Sequence, residues 1–164
     1  MKLPRATEVN PEATGRPRRP ALALTLQCGD GIDGAPFAHA QIRRWVLAAL
    51  TAPATLTLRF IEREESQRLN CEYRGQDHAT NVLTFGYSVD PTIADVLICV
   101  PVVVDEAAAQ GKTFKDHLAH LVVHGVLHAQ GWDHINDAQA HAMEGLETQI
   151  LARFRIQNPY QNQI

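Results

Sequence analysis

Cysteine is scarce in this chain, and so is every arrangement that would put it to use. Cys28, Cys71 and Cys99 are odd in number and far apart, with no C-x-x-C pair. A disulfide framework and a thiolate zinc site are both excluded as organising features, and a reducing compartment fits. Long apolar runs are missing too. Ala21–Leu26 is too short for a signal peptide and lacks a cleavage site, and nothing approaches the ~20 apolar residues of a membrane span. The expected location is the cytoplasm. Nor does one sign of charge dominate, for the net charge is −3. Residues 1–20 carry five basic residues against Glu8 and Glu12, which leaves the rest of the chain at −6. A polyanionic substrate would therefore need a local basic surface.

What remains is ordinary for a globular domain: 164 residues, 45% hydrophobic and 20% charged. Residues 1–20 read as a flexible basic tail, residues 21–156 as a single domain, and residues 157–164 as a polar C-terminal tail. Strands are predicted at Ala21–Gln27, Thr55–Ile61, Thr80–Phe85 and Ile93–Val100. The second alternates cleanly, with Leu56, Leu58 and Phe60 on one face and Thr57 and Arg59 on the other. Helices are predicted from Pro36 to Leu50, Glu64 to Arg74, Pro101 to Gln110, Thr113 to Gln130, and Asp137 to Arg155. Gly75, Gly111 and Gly131 stop the second, third and fourth. The order implies an α+β fold, a small mixed sheet of about four strands covered by about five helices, with the fourth helix central. Strands one and two, joined through a helix, suit a parallel crossover. The short Gly86–Thr92 link suits a hairpin.

The most informative segment is His124-Gly-Val-Leu-His128-Ala-Gln-Gly131-Trp-Asp-His134. At ~100° per residue, His117, His120, His124 and His128 fall within an arc of roughly 80°. Leu118, Val122 and Val126 take the opposite side, as a core face does. His124 and His128 stand one turn apart, so their imidazoles can reach one ion. Gly131 can adopt the left-handed conformation that ends a helix, returning His134 as a third ligand. Three neutral imidazoles with an open fourth position describe a catalytic zinc site. His117 and His120 extend the stripe as surface or hydrogen-bonding residues, with an outer contact to the site or substrate open for His120. Asp133 is either a turn residue or a partner that orients a ligand imidazole. His39, His78 and His141 show no such pattern.

The H-x-x-x-H-x-x-G-x-x-H spacing is that of metzincin proteases, with Gly125 standing where they keep a glutamate base. The missing base argues against an ordinary peptidase. Hydrolysis remains possible, because a zinc-bound water is close to ionising at neutral pH. Arg59, Arg63, Arg68 and Arg74 form the main basic supply of the folded part. Taken alone, Arg74 could present its planar fork to a phosphate, sit solvated, or pair with Asp77.

Leu69-Asn-x-x-Tyr73-Arg74-x-x-Asp77-x-x-Thr80-Asn81-Val82-Leu83, then Ala94-Asp95-Val96-Leu97-Ile98-Cys99, then Ala119-His120-Leu121 and the His124–His134 motif together resemble the YbeY endoribonucleases, bacterial rRNA maturation factors. The resemblance covers about residues 55–150, more loosely the first strand and helix. It implies a zinc-dependent, single-strand-specific endoribonuclease acting in rRNA maturation, notably at the 16S 3′ end, and in ribosome quality control. It implies one zinc ion on His124, His128 and His134, Arg74 as the catalytic arginine, and single-stranded rRNA precursors as partners. Two positions depart from the family: Thr84-Phe85-Gly86 replaces Ser-Phe-Pro, and Ala94-Asp95 replaces Gly-Asp. Tyr73 or Trp132 could stack on a base. Two other classes are open, a metallopeptidase-like hydrolase and a non-catalytic ribosome-assembly factor with structural zinc.

Overall fold

In the computed structural model, residues 18–161 are described. The basic tail expected at 1–20 lies outside them except for its last three residues. The elements follow the predicted order: β1 (Leu22–Cys28), α1 (His39–Ala49), β2 (Ala54–Ile61), α2 (Arg63–Arg74), β3 (Val82–Val89), β4 (Thr92–Cys99), α3 (Val100–Ala109), α4 (Phe114–Ala129) and α5 (Asp137–Ala152). The strands form one mixed sheet in the order β1-β2-β4-β3. β1 and β4 both run parallel to β2, and β3 is antiparallel to β4. The fold is α+β.

The hydrophobic pattern explains the layers. Leu56, Leu58 and Phe60 of β2 and Ala94, Val96 and Ile98 of β4 point to one face and are fully buried. There they meet Ile42, Trp45 and Val46 of α1 and Leu118, Val122 and Val126 of α4. Truncating one of these large side chains to alanine should cost about 2–5 kcal/mol. The other face of the sheet is only partly covered. A small cluster of Ile61, Leu83, Leu97 and Cys99 packs with Leu69 of α2 and Val102 of α3. Thr57 and Arg59 of β2 stay half-buried.

α4 is the central helix and touches α1, α3, α5, β3 and β4. Its side chain at Thr113 caps the N-terminus by accepting from the Asp116 N–H at 3.1 Å. At the other end Gln130 donates to the Ala49 carbonyl at 2.7 Å and accepts from the Thr51 N–H at 3.0 Å. That pins the end of α4 to the turn after α1. Gly131 then takes φ +93°, and the chain turns back.

Both boundaries of β3 differ from the sequence expectation, and α1 begins at His39 rather than Pro36 and α5 ends at Ala152 rather than Arg155. β3 begins at Val82 rather than Thr80, because the Ser66 hydroxyl takes both the N–H and the carbonyl of Thr80 out of the ladder. β3 also runs on to Val89, past Gly86. The ladder with β4 resumes at Ser88 after a bulge that leaves Tyr87 unmatched.

Candidate metal centre

Helix periodicity brings His124 and His128 to one side of α4, and the turn at Gly131 returns His134 to them. One donor nitrogen from each of the three lies within 4.8 Å of the other two. The Nε2 atoms of His124 and His128 face each other at 3.1 Å. Two nitrogens held at roughly 2.0–2.1 Å by one tetrahedral zinc lie about 3.3 Å apart, so the observed pair needs almost no movement to share an ion. The ring centroids of His134 stand 5.6 Å from His124 and 4.9 Å from His128. His134 is exposed, which leaves the centre open on one side.

The protonation states suit cation binding. Burial, with the neighbouring His124 and His134, pushes His128 down to about 4, so its ring is neutral at pH 7. His124 turns its Nδ1 toward Glu147 Oε1 at 2.5 Å, which leaves Nε2 for the ion. Glu147 is 0% exposed. Burial alone would raise its pKa, but hydrogen bonds from His120 and His124 hold it down to about 2. It is therefore a carboxylate, and it also accepts from the Tyr160 hydroxyl. Burial and that hydrogen bond push the Tyr160 phenol well above its usual range. A second trio, His120, His124 and Glu147, also gathers its donor atoms within 4.8 Å. Within that trio His124 Nδ1 and Glu147 Oε1 share a hydrogen bond.

The other histidines go elsewhere. His117 Nε2 meets Glu106 Oε2 at 2.7 Å, and Glu106 also accepts from Asn81 Nδ2 at 3.1 Å. His120 Nε2 lies 3.1 Å from the Tyr160 oxygen and 3.4 Å from Glu147. Asp133 takes the turn role, accepting from the His134 backbone N–H at 2.7 Å. His78 and His141 make local contacts to backbone carbonyls, and His39 reaches the Leu24 carbonyl of β1.

Gly125 has a packing explanation. A Cβ there would stand 2.6 Å from Val96 Cγ1 and 3.4 Å from Thr84 Oγ1. The side of α4 that carries a protease's glutamate is pressed onto β3 and β4 in this fold, with no room for any side chain.

The basic supply is smaller than the sequence suggests. Arg59 is held by Glu65 at 3.1 Å, and Arg63 is paired with Asp105. Arg74 ends α2 at Gly75, whose φ of +67° stops the helix. It is exposed, and it forms no ion pair among the described residues. Asp77 accepts from Gln67 Nε2 at 3.0 Å instead. Beside α2, on the open face of the sheet, lies a groove of about 500 Å³ lined by Arg59, Tyr73, Phe85 and Tyr87 among others. Tyr73 is 62% and Tyr87 66% exposed. Among the described residues no helix is long and apolar enough to cross a membrane.

The family model described as Endoribonuclease YbeY matches residues 37–155, which include the three clustered histidines, Arg74 and Glu147. The chain belongs to the YbeY family. A YbeY endoribonuclease of Cupriavidus metallidurans is 49% identical over 154 residues, covering 90% of this chain and 78% of the relative. One of Methylibium petroleiphilum is 46% identical over 146 residues, covering 88% and 98%. A solution structure of a Thermotoga maritima protein has the same fold, with a TM-score of 0.53 at 20% identity over 85% of this chain and 95% of that one.

Two residues of the centre escaped the sequence reading, Glu147 and Tyr160. Glu147 left a signal. It shares a helix face with Met143, Ile150 and Leu151, all buried, and a lone acid in an apolar stripe is seldom buried without a partner. Tyr160 left none, being set in the polar run Gln157–Gln161 and beyond the matched YbeY range.

Proposed function

We propose that this YbeY-family chain is a zinc-dependent endoribonuclease specific for single strands. In this reading it matures rRNA ends, notably the 16S 3′ end, takes part in ribosome quality control, and works in the cytoplasm. The observation that carries the reading is the trio His124, His128 and His134, with nitrogens converging on one point and an open side. The relatives named as YbeY endoribonucleases support RNA as the substrate.

The residues divide the work. His124, His128 and His134 would hold one zinc ion, which supplies Lewis acidity and an acidified water when bound. His128, kept neutral by burial, offers its lone pair without first losing a proton. Glu147 holds the His124 ring so that Nε2 faces the ion. Arg74, free of carboxylate partners among the described residues, would neutralise charge building on the scissile phosphate. The exposed rings of Tyr73 and Tyr87 offer stacking faces for unpaired bases, which accounts for a preference for single strands. Duplex bases would keep their faces to one another and gain nothing there. The packing of Gly125 against Val96 removes the position a peptidase would use for its base.

The test is cleavage of a defined single-stranded rRNA fragment spanning a mature end, with metal content measured on the same samples. Wild type should carry one zinc and cleave. Arg74→Ala should keep its zinc and cleave about 10²–10³-fold more slowly. An Arg74→Ala protein that cleaves at the wild-type rate would remove the arginine from the mechanism. A zinc-loaded wild type inert on every single-stranded RNA tried would end the reading.

A further inference from the structure

We propose that Glu147 and Tyr160 form a clamp that positions His124 for the metal, so that the segment after α5 is a working part of the metal centre. This rests on the metal reading above, but not on RNA cleavage. Glu147 is fully buried on the core face of α5, yet no lysine or arginine pairs with it among the described residues. Its donors are His124 Nδ1 at 2.5 Å, the Tyr160 hydroxyl, and His120 Nε2 at 3.4 Å. A carboxylate taken wholly out of water needs compensating positive charge as well as hydrogen bonds. The structure puts that place on the far side of the His124 ring. His124 would offer Nε2 to a cation while its Nδ1–H donates to Glu147, so that a bound cation would supply that charge through the ring.

Tyr160 completes the clamp from outside. Its hydroxyl donates to Glu147 while its oxygen faces His120 Nε2 at 3.1 Å. The two rings meet edge to face at 5.5 Å. Pro159 is buried beside it, and the Lys112 ammonium donates to the Pro159 carbonyl at 3.1 Å. A segment rich in polar residues is thus tied down at three points, and the group it delivers is the one that holds the carboxylate still. His117 of α4, which is buried, and Glu106 of α3, which is partly exposed, form a comparable pair that makes no hydrogen bond to the three ligands. They serve as an internal control.

The experiment is zinc affinity by chelator competition, together with the visible spectrum of the cobalt-substituted protein. Wild type, Glu147→Gln, Tyr160→Phe, the double variant and Glu106→Gln are compared, each checked for folding by circular dichroism. Glu147→Gln should weaken zinc about 10–100-fold and shift the cobalt bands. Tyr160→Phe should weaken it several-fold, and the double variant should equal Glu147→Gln, because the tyrosine acts through the carboxylate. Glu106→Gln should match wild type. Wild-type affinity and an unchanged cobalt spectrum in Glu147→Gln would overturn the clamp. If that variant does not fold, an unchanged Tyr160→Phe overturns it instead. A wild type that binds no metal would overturn the metal reading itself. Normal zinc binding without RNA cleavage would overturn only the proposed activity.

Discussion

The two halves of α4 carry histidines at similar spacing and put them to opposite uses. In the first half, His117 Nε2 is taken up by Glu106 and His120 Nε2 by Tyr160 and Glu147. In the second half, the Nε2 atoms of His124 and His128 meet each other, with His134 returned to them by Gly131. The backbone is the same helix and the residue type is the same. The difference lies in what stands opposite. A carboxylate at Nε2 makes a histidine a structural donor. The carboxylate of Glu147 at His124 Nδ1 leaves that ring's Nε2 free to face His128. Spacing offers an imidazole to a direction in space, and the neighbouring element decides what it does there.

Removing one histidine from each half should separate their roles most clearly. His128→Ala should abolish stoichiometric zinc binding, read as metal content after dialysis. His117→Ala should keep its zinc and lose about 1–3 kcal/mol of stability, because Glu106 loses its buried imidazole partner. Equal effects on zinc from the two variants would erase the distinction between the halves.

A smaller effect follows from the packing between the halves and the sheet. Gly125→Ala places a Cβ 2.6 Å from Val96 Cγ1. It should destabilise the protein by about 1–3 kcal/mol in urea unfolding, and Gly125→Glu by more. Gly125→Glu should gain no peptidase activity. A stable Gly125→Glu protein would show that the close contact with β4 is not obligatory.

The smallest effect concerns acid stability. The hydrogen bond from His117 holds Glu106 below the usual carboxylate range, with Asn81 helping and burial opposing. A depressed native pKa means that the unfolded chain binds the proton first as pH falls. This contribution is therefore complete above the ordinary glutamate pKa and is lost as pH drops toward the depressed value. Glu106→Gln should flatten that part of the stability curve and leave zinc affinity untouched.

The strand alternation of Leu56, Leu58 and Phe60, the histidine stripe of α4 and the stop at Gly131 were all legible in the sequence. Each is a local periodicity or a backbone requirement, and each is where the reading placed it. The extension of β3 to Val89 was not, because a glycine and a bulge hide a ladder that only the partner strand makes evident. The arginines misled for a similar reason. Arg59 and Arg63 counted toward the basic supply along the chain and are committed to Glu65 and Asp105 in space. Gly125 read as a missing catalytic group, and Val96, 29 residues away in sequence, shows it to be a point of helix–sheet contact.

Chain-local geometry set which residues could come together: three imidazoles near one point, an apolar stripe behind them, an arginine at the end of α2. Those relations follow from 3.6 residues per turn and from the dihedral freedom of glycine, which neighbours in the chain suffice to set. Which ring nitrogen His124 and His120 turn toward a partner was settled across space. That choice rests on Glu147, brought over by α5 from 23 residues beyond His124, and on Tyr160, brought back by the segment after it. Hydrogen-bond direction is set by partners across space, and no period along the chain encodes it.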